Sequence, residues 1–209
     1  MKLSLTEHSD GLHRCSWCGD IPEYIHYHDT EWGIPVADDQ LLFEKIILEG
    51  FQSGLSWITI LRKREAFRRA FSGFDIDKVA QFTQTDVERL VLDAGIVRHR
   101  GKIVSAINNA KRARELIDTQ GSLAKFVYKF RPDKKARPAK ITADVAMTLT
   151  QSPESVALSK ELKGLGFSFV GPTTMYAFMQ SMGVVNDHLE GCESRAKTEA
   201  AIQAFRPPN

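Results

Sequence analysis

The 209-residue chain is 43% hydrophobic and 26% charged with a formal net charge of +2, the profile of an ordinary globular protein with enough material for one good core. No run of about 18 apolar residues occurs, which argues against a transmembrane helix, and the N-terminal MKLSLTEHSDGLHR has no apolar stretch of the secretory kind. A cytoplasmic protein without a membrane partner is expected.

Charge is unevenly spread. Residues 1–60 hold 3 basic and 10 acidic groups, net −7; residues 61–140 hold 20 and 9, net +11; residues 141–209 hold 5 and 7, net −2. So basic a middle section suggests a face for a polyanion, with solvated helix faces as the plain alternative. Cysteines stand at 15, 18 and 192. An odd number without an export signal argues against a disulfide framework and leaves metal binding or simple burial.

Residues 1–13 read as a flexible leader. Asp38 or Asp39 can cap a helix through QLLFEKIILEG, and ITILRKREAFRRAF is a second helix stopped by SGF. DIDKVAQF is a short one. TQTDVERLVLDAG follows, with Thr83 or Thr85 as its cap and Gly95 as its stop. HRGKIVSAINNAKRARELIDTQG is long, with Ile103, Ile107, Ala110 and Leu116 or Ile117 toward a core. After SLAKFVYKF, two prolines break the loop RPDKKARPAKITAD. SPESVALSKELKGLG begins with Ser152 as cap and Pro153 in the first turn, and PTTMYAFMQSMG closes the series. Residues 194–209 read as a tail with a turn or two of helix. No strand pattern and no repeat is evident, so the fold class is all-α.

Three arrangements carry chemistry. In LEGFQSGLSW, Glu49 falls on the helical stripe of Leu42, Ile46, Ser53 and Trp57. An unpaired charge there would cost several kcal/mol, roughly, so either a ligand or a lysine such as Lys45 or Lys63 must answer it. The hairpin GLGFSFVGPTT joins the last two long helices. Gly164, Gly166 and Gly171 permit positive φ and close backbone approach, and Pro172 with Thr173 suits a first helical turn. The free N–H groups of such a turn suit a phosphate; a plain helical corner is the alternative. Finally, each end of the chain pairs cysteine with histidine. His188 and Cys192 are four apart, on one helical face or a tight turn, while Cys15 and His28 bracket a loop, with Cys18 and His26 as competitors. Two thiolates and two imidazoles would make a closed, structural zinc site.

The segments RCSW, YHDTEWG, LEGFQSGLSWITIL, LVLDAGIVRHRGKI, GFSFVGPTT and FMQSMGVVNDHLEGC, in this order, resemble the DNA-3-methyladenine glycosylase I family of the helix-hairpin-helix superfamily, over roughly residues 14–192. The resemblance implies a helix-hairpin-helix glycosylase fold over residues 14–193, two helical lobes around a base-binding cleft, with one structural zinc ion held by Cys15, His28, His188 and Cys192. It makes Cys18 and His26 bystanders. It places Glu49, Tyr27, Trp57 and Trp17 in the base pocket, Glu49 also as the catalytic group, with Tyr24 and Trp32 lining the same region. It implies hydrolysis of the N-glycosidic bond of 3-methyladenine in double-stranded DNA carrying alkylated bases. Water would be the nucleophile, without strand cleavage, and the enzyme a monomer. Gly166, Gly171 and Thr173 are the expected backbone contacts. Arg98, His99, Arg100 and Lys102 form a basic knuckle that would hold flanking phosphates, or else a solvated turn. Asp187, next to a metal ligand, is expected to orient that ligand or cap a turn.

Overall fold

The computed structural model describes residues 3–208. It opens with two strands, β1 (Leu5–Glu7) and β2 (His13–Cys15), paired antiparallel with Leu5 opposite Cys15. Neither was expected: three residues are too few to display a period of two, and a turn at His8–Leu12, with the His8 N–H bonded to the Leu12 carbonyl at 3.0 Å, sets the register. Most of the expected leader is therefore tied to the domain.

Helices make up the rest: α1 (Pro22–Thr30), α2 (Asp39–Gln52), α3 (Trp57–Ala70), α4 (Ile76–Ala80), α5 (Gln84–Leu92), α6 (Arg100–Gln120), α7 (Leu123–Tyr128), α8 (Ala143–Thr148), α9 (Pro153–Gly164), α10 (Pro172–Ser181) and α11 (Glu193–Ala204). The fold is mostly helical, and no helix among the described residues is long and apolar enough to cross a membrane. Local chemistry explains the boundaries. The Asp38 carboxylate accepts the Leu41 N–H at 2.8 Å to start α2. Thr83, not Thr85, forms a capping box with Asp86 before α5. Ser152 does the same with Ser155 before α9, whose first residue is Pro153.

Three expectations fail locally. Gly95 is not the stop of α5, which ends at Leu92; it is small because an added Cβ would lie 3.0 Å from Ala66 Cβ and 2.9 Å from the Asp93 carboxylate. Residues 22–30, read as a loop, are α1, whose buried face is built from Tyr and His rather than aliphatic side chains. The tail holds the twelve-residue helix α11, which packs on α1.

Helix α2 is the axis of the core. It packs against α3, α6, α7 and α10, and its residues from Leu42 to Phe51 are all buried, as befits a helix apolar on most sides. Part of the charge asymmetry of the sequence is compensated in this packing. Arg62, Arg64 and Arg68 of α3 pair with Glu23, Glu31 and Glu44 of the acidic N-terminal section, Arg62–Glu23 and Arg68–Glu44 at 2.8 Å each. These arginines join helices more than they offer a face to a polyanion.

One glycine fixes the path from α10 to the C-terminal segment. Gly183 has φ +63, and a Cβ there would collide with the backbone of Gly33, Ile34 and Pro35. Gly183→Ala should lower stability by more than the roughly 1–3 kcal/mol that a left-handed non-glycine residue costs by itself, read as the denaturant midpoint; an unchanged midpoint would mean the two segments do not meet as described.

Candidate functional site

The two chain ends meet at a buried cluster of sulfur and nitrogen. Cys15 ends β2, His28 sits in α1, His188 lies in the turn after α10, and Cys192 precedes α11. Their ligand atoms all lie within 4.8 Å of one another, and all four residues are buried. Cys192 Sγ is 3.5 Å from both His28 Nε2 and His188 Nδ1, and Cys15 Sγ is 3.9 Å from His188 Nδ1. Edges of about 3.5–3.8 Å are what a tetrahedron of sulfur and nitrogen at metal-bond lengths requires.

The far nitrogen of each imidazole is engaged as well. His28 Nδ1 lies 2.7 Å from the Asp29 carboxylate, which Arg14 holds from behind at 2.9 Å, and His188 Nε2 lies 3.1 Å from the Trp32 carbonyl. Those acceptors hold the ring proton on the outer nitrogen and turn the free lone pairs inward. The Cys192 thiol is pulled well below its usual range, first by a hydrogen bond from Cys15 and then by the two histidines. Such a set fits a metal ion. Cys18 lies outside the cluster, its Sγ 3.2 Å from the Cys15 carbonyl, and His26 is on another face of α1, beside Thr30.

The same elements wall a cavity of about 220 Å³ lined by Trp17, Tyr24, Tyr27, Trp32, Glu49 and Trp57, with Gln52, Gln180 and Asp187 at its polar side. That lies below the ~300 Å³ at which pockets for drug-sized ligands begin, a size suited to a single flat ring system. Trp17 packs on Tyr24 and Trp32 with ring centroids 5.0 and 5.1 Å apart, and Tyr27 on Trp57 at 5.5 Å. The aromatics and the ligands alternate: Trp17 follows Cys15 by two residues, Tyr27 precedes His28, and the Trp32 carbonyl accepts from His188.

Glu49 is 5% exposed. Burial pushes its pKa up, and the nearby Lys45 holds it back. Lys45 Nζ stands 3.4 Å from the carboxylate, long for a charge-assisted hydrogen bond of about 2.7–2.9 Å. Trp57 Nε1 is also buried without a partner. Two polar groups of the wall thus keep unused bonding capacity. The sequence reading set a ligand against Lys45 as alternatives for Glu49; the structure places Lys45 beside it and the cavity in front of it.

Asp187 is nearer this cavity than expected. It neither orients His188 nor caps the turn; Asn186 does that, its Oδ1 accepting the His188 N–H at 3.2 Å. The Asp187 carboxylate is filled by the Tyr176 hydroxyl at 2.7 Å, the Gln180 amide at 2.8 Å and the Arg137 guanidinium. A larger depression of about 630 Å³ lies between residues 131–141 and α11. Its cations are already engaged, Lys134 by Glu199, Arg137 by Asp187, Arg195 by Glu190 and Arg131 by the Ile202 carbonyl, and no aromatic ring lines it.

The hairpin between α9 and α10 is clamped onto α6. Asn109 bonds both the N–H and the carbonyl of Ser168 at 2.9 Å, and Asn108 bonds the Gly166 carbonyl at 2.8 Å. Of the three glycines only Gly166 has a positive φ, +86; Phe169 takes the other left-handed position at φ +57. Gly171 and Thr173 open α10, which has no side-chain cap, and a Cβ on Gly171 would meet nothing within 4 Å. In the basic knuckle, Lys102 is buried and bonds the Phe51 and Ser53 carbonyls at 2.9 and 2.6 Å, closing the C-terminal end of α2; Arg100 is paired with Glu88 at 2.6 Å. Only Arg98 and His99 of the four remain exposed without such an anion.

The family model for methyladenine glycosylases matches residues 17–196. The chain belongs to that family. It is 49% identical to DNA-3-methyladenine glycosylase 1 of Escherichia coli over 87% of this chain and 96% of that protein, and 46% identical to DNA-3-methyladenine glycosylase of Haemophilus influenzae over 86% and 96%. Among solved structures, 3-methyladenine DNA glycosylase I of Staphylococcus aureus superposes with a TM-score of 0.79 at 35% identity, over 86% of this chain and 96% of that one.

In this methyladenine glycosylase the Asp29 contact generates a prediction. Asp29→Ala should weaken binding of a divalent ion by about 10–100-fold, measured by competition with a chromophoric chelator. Equal affinity would show that His28 is not oriented through its Nδ1.

Proposed function

We propose that this glycosylase receives an alkylated adenine swung out of double-stranded DNA into the aromatic cavity, with Glu49 as the group that recognises it. The observation that carries the proposal is a carboxylate buried among π-faces, beside a cavity of single-base size, with bonding capacity to spare. The S. aureus relative is described as a 3-methyladenine recognition structure, and the E. coli and H. influenzae relatives bear the same substrate in their names.

Methylation at ring N3 leaves the base positively charged, so the leaving group is already activated and the bond to the sugar is weak. The protein has to extrude the nucleotide, select the lesion and admit water. Trp57, Tyr27 and Trp17 supply electron-rich faces, each worth on the order of 0.5–2 kcal/mol to a flat cation; Tyr24 and Trp32 complete the wall. Glu49 accepts hydrogen bonds from the exocyclic amine and ring edge, stronger for being charged and dry, and holds the base in place as the bonding electrons pass to it and the positive charge moves to the sugar. Unmodified adenine gains less from the same surroundings. Water then attacks the sugar carbon and free 3-methyladenine leaves, which starts base excision repair. With a cationic leaving group no covalent nucleophile is needed, so the activity is monofunctional.

Cys15, His28, His188 and Cys192 hold one zinc ion. With all four positions taken by protein, the ion is structural and joins the two ends of a glycosylase domain spanning residues 14–193, its two helical lobes facing each other across the cleft. Gly166, Gly171 and Thr173 present the hairpin to the DNA backbone, where the uncapped N–H groups of α10 suit a phosphate. The enzyme acts as a cytoplasmic monomer.

Two measurements test this reading. Glu49→Gln should slow release of 3-methyladenine from methylated duplex DNA by about 10²-fold or more while duplex affinity stays the same; full activity in the variant would remove Glu49 from the reaction. Stripping the metal with a chelator should lower the thermal midpoint, and one equivalent of zinc should restore it. A midpoint indifferent to both would end the structural role.

A further inference from the structure

Lys45 is the charged group of the core that neither the fold nor the reaction so far explains. It is 5% exposed on a helix whose other buried charged residues are the carboxylates Glu44 and Glu49. Its Nζ lies 2.5 Å from the Tyr27 hydroxyl, 3.4 Å from the Glu49 carboxylate and 3.5 Å from the centroid of the Trp57 ring. Three groups of the base cavity therefore converge on one ammonium.

The ammonium is not itself in the base cavity. Lys45 lines a second cavity, which shares Tyr27 and Trp57 as walls but has Leu48, Ile34 and Met182 where the first has Glu49, Trp17 and Tyr24. The two rings form a partition, with the lysine behind it and the base site in front. Simple burial of a lysine does not call for this arrangement, because a methylene stem of that length normally carries its charge to solvent.

We infer that Lys45 is a positioning residue for the glycosylase reaction: from behind the Tyr27–Trp57 partition it keeps the Glu49 carboxylate ionised and fixed to meet the extruded base. The inference rests on the proposed role of Glu49. Its physics is that of a counter-ion in a poorly solvated place. A carboxylate beside aromatic rings favours its neutral form, and a protonated Glu49 would turn a donor toward the amine it has to accept from. A cation at 3.4 Å opposes that protonation. Placed behind the rings, the cation does so without occupying the volume the base needs.

The other charged and titratable groups around the pair do not duplicate the effect. Tyr27 of α1, Glu31 just after it and Arg64 of α3 face Lys45, and Glu31 is bound to Arg64 by two hydrogen bonds. Around Glu49 stand Tyr24 and Tyr27 from α1 and Ser181 from α10, none of them cationic. Asp187 at the far wall is matched by Arg137. Burial lowers Lys45 itself to about 8, so the ammonium persists at neutral pH.

The test is the pH dependence of kcat/KM for release of 3-methyladenine from methylated duplex DNA, which reports ionisations of the free enzyme. Lys45→Met keeps an unbranched chain that packs against aromatic rings, and Lys45→Gln keeps a donor without the charge. In each the acid limb should move up by about one pH unit or more, the effect of losing an opposite charge at this range, with activity recovering as pH rises. Thermal unfolding verifies that a variant is folded, and either folded variant suffices. In a Glu49→Gln background the substitutions at Lys45 should leave the acid limb where it is, because the group they act on is gone.

An acid limb that coincides with that of the unmodified protein overturns the inference, as does a shift that persists in the Glu49→Gln background. If Glu49→Gln alone retains the full rate, it is the reading of the cavity that fails, and the two failures are distinguishable.

Discussion

The structure depends on how one helix carries charge through a core. Burial of α2 on most sides forces each of its ionised groups to find an answer inside the protein, since an unpaired buried charge costs several kcal/mol, roughly. Glu44 is answered by Arg68, which makes two of its bonds at 2.8 and 2.9 Å. Lys45 is answered by a hydroxyl, a carboxylate and a ring. Glu49 has a long ion pair with Lys45, the Ser181 hydroxyl nearby and an opening. The same demand is met fully at one position and only partly at another five residues later, the carboxylate proposed to recognise the base.

The opening is shaped by residues that have a second duty. Trp17, Tyr27 and Trp32 are placed by the backbone that delivers Cys15, His28 and the acceptor for His188. The rings touch the imidazoles directly: Trp17 lies 5.1 Å from the His28 ring and Trp32 lies 4.7 Å from the His188 ring. Rigid placement of recognition groups depends on the shell behind them. Here that shell is the Cys/His cluster, so an ion bound there would set the shape of the aromatic wall without touching what the wall binds. The close approach of Gly183 to residues 33–35 serves the same end from the other side, bringing the His188 turn against Trp32.

What the sequence disclosed follows a physical division. Helices with aliphatic stripes and side-chain caps, such as α2, α6 and α9, were legible because their signals are local. The four Cys/His residues, Glu49 and the aromatics came from the resemblance more than from spacing, and the structure gathers them into one neighbourhood. Helix α1 was missed because its buried face is written in tyrosine and histidine, and α8 because six residues between proline breaks show no period. Strand pairing at β1 and β2 is a relation between segments, invisible in either one. The basic middle section, which suggested a face for a polyanion, is in part committed to pairs within the chain. Arg62, Arg64 and Arg68 face acids 24 to 39 positions away, and Lys102 of the basic knuckle proves to be the closing group of α2. Charge read along a chain reports on partners only after the chain's own pairs have been subtracted.

That subtraction also clarifies what kind of selectivity the cavity can have. Counted with Lys45, the vicinity of Glu49 is close to neutral; burial pushes the carboxyl toward its neutral form and the lysine opposes that shift. The vicinity is neutral by an ion pair across a partition, however, and not by good contact: the near side of the carboxylate, with Trp57 Nε1, lacks partners. A base entering this space as proposed would gain those missing hydrogen bonds whether or not it is methylated. The additional gain on the faces of Trp57, Tyr27 and Trp17 scales with its charge. In the proposed reading, hydrogen bonding would select the shape of a purine edge and the rings the charge, so that a lesion with both would obtain the whole of the binding free energy available at the site.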